Sequence, residues 1–156
     1  MKSLRTLIPT LLIFLSAGPA LTYVSAQAIS AQILSATATA GPGCDPIFVQ
    51  VQFATYGILT VWVGLSFKDM FGHITDVPPE QISVVSADGV NGMGNAYFNV
   101  NVNNLPTSDI DIIINALESN NLQYTVAVWQ GYDVSTNLMQ GELARWGWAL
   151  VGACSP

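Results

Sequence analysis

The side chains best suited to chemistry gather between Lys68 and Gln81, where the single histidine of the chain, His73, lies close to Asp69, Asp76 and Glu80. An imidazole beside carboxylates can do general acid and base work when rigid structure positions both. The segment KDMFGHITDVPPEQ nevertheless contains Gly72, Pro78 and Pro79 and reads as an irregular connection. An acid-rich loop is ordinarily a solvated loop, and no nucleophile elbow completes a triad around His73. The usual His/Cys spacings of zinc are missing as well. Carboxylates from Asp69, Asp76, Glu80, Asp88 or Asp133 could converge on calcium, though no DxDxDG loop specifies it. The expectation is a protein that is not an enzyme, with no catalytic residue and no cofactor, calcium being the one ion left open.

The two cysteines point to covalent bracing rather than reactivity. Cys44 precedes the most apolar part of the chain and Cys154 lies two residues from its end. In an exported protein such an isolated pair forms a disulfide, here one that ties the entrance of the core to its exit. Closing a loop of about a hundred residues stabilises by roughly 4–5 kcal/mol in the chain-entropy model.

Export itself is read from the first 26 residues. Lys2 and Arg5 form a basic start, Leu7–Leu15 is a short apolar run, and Val24-Ser25-Ala26 is a small-x-small cleavage site. The apolar run falls short of the roughly 20 residues that span a bilayer, and Pro19 interrupts its extension. Residues 1–26 are therefore expected to be a secretory signal peptide, leaving a mature chain of about 130 residues, enough for one core. No membrane attachment is expected after cleavage, and the location is secreted or extracellular. Cleavage removes two of the four basic residues, so Lys68 and Arg145 face ten acids and the mature net charge is −8. Such a surface repels phosphate backbones, which excludes nucleic acid as a partner.

Four tryptophans remain. Alternation in Leu59–Phe67 places Trp62 with Thr60 and Ser66 on the face away from the core, and Trp129 likewise shares a face with Gln123 and Thr125. Exposed aromatics on a flat sheet suit either stacking on sugar rings or a subunit interface. Trp146 and Trp148 share a face of the closing strand and are expected in the core.

These side chains need elements to hold them. Residues 47–67, IFVQVQFATYGILTVWVGLSF, alternate apolar and polar on either side of Tyr56-Gly57, which predicts two strands of an antiparallel hairpin. Further strands are expected at Ile82–Ala87, Ala96–Asn103, Leu122–Gln130 and Leu143–Gly152, with DGVNGMGN a turn region and GYDVSTNLMQGE a loop. Ile110, Ile113, Ile114 and Leu117 recur at helical spacing after Thr107 or Ser108, either of which could cap the helix. The fold expected is all-β: an antiparallel β-sandwich, jelly-roll or immunoglobulin-like, of about seven strands with one crossover helix. A closed barrel is the alternative.

Residues 27–43 stand apart from the domain at 44–156. QAISAQILSATATA can alternate as a strand, but Ala36, Ala38 and Ala40 are too small to order it by burial alone, and it ends at Gly41-Pro42-Gly43. It reads either as an extended arm in search of a groove or as a first edge strand or flexible N-terminal tail. A signal peptide, an Ala/Ser/Thr-rich arm, a Gly-Pro break and a sandwich with amide-rich outer faces together resemble the secreted subunits of archaeal extracellular filaments: threads, bundling pili and cannula-type tubes, with the related camelysin/TasA-type matrix fibres. The resemblance implies a homopolymer in which the arm of one copy completes the sheet of the next. In such an insertion the larger Ile29, Ile33 and Leu34 are the expected anchors, with Ala36, Ala38 and Ala40 letting the arm lie close to the sheet. The crossover helix, the short strand at Ile82–Ala87 and the Cys44–Cys154 pair depart from that pattern. The other class is a monomeric binding module, for carbohydrate among other ligands, using Trp62 and Trp129.

Overall fold

A computed structural model describes residues 28–154, so the signal peptide expected over residues 1–26 lies outside the described residues. The chain is an antiparallel β-sandwich, as its alternation predicts, with nine strands among the described residues. One sheet has the order β1-β2-β6-β5, formed by β1 (Ser30–Ala40), β2 (Ile47–Tyr56), β5 (Val85–Ser86) and β6 (Asn91–Val100). The other runs β4-β3-β7-β8, with β3 (Thr60–Lys68), β4 (Ile74–Ser83), β7 (Gln123–Asp133) and β8 (Leu138–Arg145). The short β9 (Ala149–Leu150) pairs with the start of β7. Ile47, Val49, Val51 and Phe53 of β2 meet Val61, Val63, Leu65 and Phe67 of β3 in the buried centre, together with Phe98, Val126 and Val128.

The expected hairpin is not formed. β2 pairs with β1 and β6, and β3 pairs with β4 and β7, so residues 47–67 cross from one sheet to the other. Period-2 alternation says only that each strand buries one face, and both strands satisfy that equally well facing each other across the core. Gly57 still makes the turn at φ 71°, and its N–H donates to the Val90 carbonyl at 2.9 Å, which fixes the corner between the layers.

Further segments differ from expectation. Ile74–Ser83 forms β4 despite Pro78 and Pro79, where an irregular connection is expected up to Gln81. β4 is a sheet edge, and its register with β3 passes from Glu80 opposite Val63 to Val77 opposite Leu65. The two prolines therefore lie at a bulge opposite Gly64, where no ladder donor is required of them. DGVNGMGN is strand from Asn91 onwards because Gly92 and Gly94 face inward; a Cβ on Gly94 would lie 2.4 Å from Phe53 Cζ. Residues 131–142, expected as loop, are the paired ends of β7 and β8, with Asn137 in the turn at φ 55°. The closing strand expected over 143–152 is divided between the end of β8 and the two residues of β9.

The helix α1 (Thr107–Glu118) crosses between β6 and β7 and buries Ile113, Ala116 and Leu117. Pro106 is its N-cap and no side chain caps it, so the expected Thr107 or Ser108 cap is absent; Ser108 Oγ donates instead to Asp109 at 2.8 Å. Cys44 and Cys154 are disulfide-bonded with Cα atoms 4.9 Å apart, across a sequence separation of 110. Among the described residues no helix is long and apolar enough to cross a membrane.

Candidate functional site

Two regions hold the residues singled out from sequence: the outer face of the β3–β7 sheet and the first strand. On the outer face, Gly64 pairs with Ala127 and Ser66 with Thr125, so four small residues lie side by side along two neighbouring strands. They floor a groove of about 670 Å³ whose walls include Trp129, Tyr132, Met139, Arg145 and Trp148. Strand register sets its length. Lys68, opposite Gln123, marks one end with its Nζ 4.2 Å from the Trp148 ring centroid, and Trp129, opposite Trp62, marks the other. The strand between Gln123 and Trp129 covers about 20 Å.

Charge in the groove is balanced. The Arg145 guanidinium lies 5.8 Å from the Trp129 ring centroid and is held by Glu142 through Nε to Oε1 at 3.0 Å and through Nη2 to Oε2. Those bonds push the Arg145 pKa up. Asp76 on the opposite wall accepts from Ser66 Oγ at 2.6 Å. Both basic residues among the described residues thus stand beside tryptophan rings that line the groove.

Trp62 and Trp129 share the outer face, as their alternation indicates. Trp62, however, packs against Tyr132 at 5.0 Å between centroids and buttresses the wall from outside the groove. Trp148 corrects the expectation of a core position, being 38% exposed, whereas Trp146 packs on the core. Gly147 between them is the local signal: the chain is irregular over 146–148, so the two rings no longer share a face. Arg145, Tyr132 and Asp76 were not legible as partners, because a hairpin and a bulge bring them together.

The first strand pairs with β2 of its own chain, Ala31 with Thr55 through Ala40 with Ile47, with a bulge at Leu34. This is the edge-strand arrangement. Ala36, Ala38 and Ala40 are buried, Ile33 is half-buried, and Ile29 and Leu34 are exposed at 42% and 43%. Its far side is also held: Tyr124 Oη donates to the Ala36 carbonyl at 2.8 Å, and Gly152 N–H donates to the Ala38 carbonyl at 2.8 Å.

The acidic loop is dispersed by the fold. Asp69 accepts from the N–H groups of Phe71 at 2.9 Å and His73 at 2.8 Å, closing the tip between β3 and β4. Asp76 lies in the groove, and burial pushes the pKa of Glu80 up. His73 is not simply solvated, since its Nε2 lies 3.3 Å from Asp109 Oδ1 at the start of α1. The Ser108 hydroxyl is the main influence lowering the Asp109 pKa, opposed by burial and assisted by Thr75 and His73. Asp88 and Asp133 each bind N–H groups of their own turns. Among the described residues no three metal-ligating side chains lie together.

No protein-family model matches this chain, and no curated protein matches its sequence.

Proposed function

We propose that the mature chain is an exported, non-catalytic structural subunit that polymerises with copies of itself by exchanging its first strand. In this arrangement β1 of one copy takes, beside β2 of the next, the place it occupies in its own chain. The observation that carries the reading is the distribution of charge. β1, β2 and β6 contain no Asp, Glu, Lys, Arg or His, although the mature domain has ten acids and two cations. Their outer face presents Thr37, Thr39, Gln50, Gln52, Asn95 and Asn99 around Phe48 and Tyr97. Copies with a net charge of −8 repel one another, and they approach at least cost where neither surface is ionised. Amides and hydroxyls there can bond across an interface without desolvating a charge.

The strand itself suits exchange. It is the edge of its sheet, its inward side chains at 36, 38 and 40 are alanines that ask little room of a groove, and Gly41-Pro42-Gly43 links it to the domain. Main-chain bonds to β2, with Tyr124 and Gly152 on the far side, form a groove that accepts the strand from either source.

Deletion of residues 27–40 tests this reading. The truncated protein is expected to remain a soluble monomer by sedimentation and to bind a synthetic peptide of that sequence, while the full mature chain forms filaments visible by electron microscopy. A truncated protein that still assembles would refute the exchange.

A further inference from the structure

We infer that the groove between Trp148 and Trp129 is a binding site for a neutral oligosaccharide lying along β3 and β7, a role separate from polymerisation. Gly64, Ser66, Thr125 and Ala127 leave a trough rather than a flat sheet, and the tryptophans mark its two ends. An extended ligand with repeated units fits such a trough better than a compact one. Each unit must offer an apolar face to an indole and hydroxyl groups to the walls, which is the chemistry of a pyranose ring.

The wall chemistry selects against charge. Lys68 over Trp148 and Arg145 near Trp129 repel a cationic ligand from the ring faces that would otherwise attract it. Asp76 and Glu142, within a domain of net charge −8, repel an anionic one. What remains is an uncharged ligand rich in donors and acceptors. Asp76, already oriented by Ser66 Oγ, accepts from hydroxyls, and the Arg145 guanidinium, oriented by Glu142, donates to them. The two planar groups stand fixed before the ligand arrives, which reduces the entropy lost on binding.

Native affinity electrophoresis of the full mature protein tests the site, using gels that contain dextran, mannan, xyloglucan or hydroxyethylcellulose. Alginate and chitosan serve as the anionic and cationic controls. The expected result is retardation in at least one neutral gel. Trp148→Ala, at an exposed position, and Asp76→Asn should each weaken it by about tenfold or more, with Trp129→Phe retaining more affinity than Trp129→Ala. Circular dichroism of each variant confirms folding, and Trp148→Ala and Asp76→Asn keep the test decisive if Trp129→Ala does not fold. Retardation only by alginate or chitosan, no retardation in any neutral gel, or retardation unaffected by Trp148→Ala and Asp76→Asn would overturn the inference. No side chain of β1 lines the groove, and the variants tested lie outside β1, so failure here is distinct from failure of strand exchange.

Discussion

Gly94 shows how one residue type can mean opposite things. In sequence, Gly92 and Gly94 among asparagines read as turn formers, but both are buried strand positions whose missing side chains admit Phe53 and Val84. A Cβ at Gly94 would come within 2.9 Å of atoms of both, and Phe53 is itself fully buried. Gly94→Ala is therefore expected to destabilise the domain by about 1–3 kcal/mol, read from urea unfolding. An unchanged midpoint would show that the Phe53 ring relaxes freely. The tryptophans carry the same lesson at the groove. The side of the sheet occupied by Trp62 and Trp129 was legible from alternation, because period 2 is a property of the strand itself. The part each ring plays was not. Trp148 owes its exposure to the irregular step at Gly147, and Trp62 leans on Tyr132, which lies beyond its cross-strand partner Trp129 in a position that alternation does not specify.

At the scale of elements, local pattern located the strands but not their partners. Both halves of residues 47–67 were recognisable, yet they join different sheets, because pairing is decided by which neighbours cover each strand's edges. Pro78 and Pro79 argue for a loop and prove compatible with an edge strand at a bulge. The polar turns are organised by their own carboxylates. Asp88 accepts from the N–H groups of Val90 and Asn91, Asp133 accepts from the hydroxyl and N–H of Ser135, and these bonds are the main influence lowering both pKa values. With folded-state values below the unfolded ones, such groups contribute stability that is complete above about pH 5 and is lost as the pH falls toward the folded values. The difference in melting temperature between the wild type and Asp88→Asn should therefore be present at pH 7 and shrink below about pH 4. A difference independent of pH would contradict this account of the turn.

For the whole molecule, the sandwich class and the Cys44–Cys154 staple were legible because alternation and an isolated cysteine pair are global constraints. The segregation of charge was not visible until the strands were assigned to sheets: β1, β2 and β6 carry no ionised residue, and the opposite sheet holds the charged groove. The register of the first strand on β2 makes the proposed self-assembly directly testable. Thr37 and Gln50 are cross-strand partners on the exposed side of β1 and β2. In a Thr37→Cys/Gln50→Cys variant, treated after assembly with a short cross-linker that forms thioethers, strand exchange predicts covalent links between copies, seen as a ladder of oligomers in a denaturing gel. Links confined within single chains, giving only monomer under conditions where the protein is assembled, would contradict it.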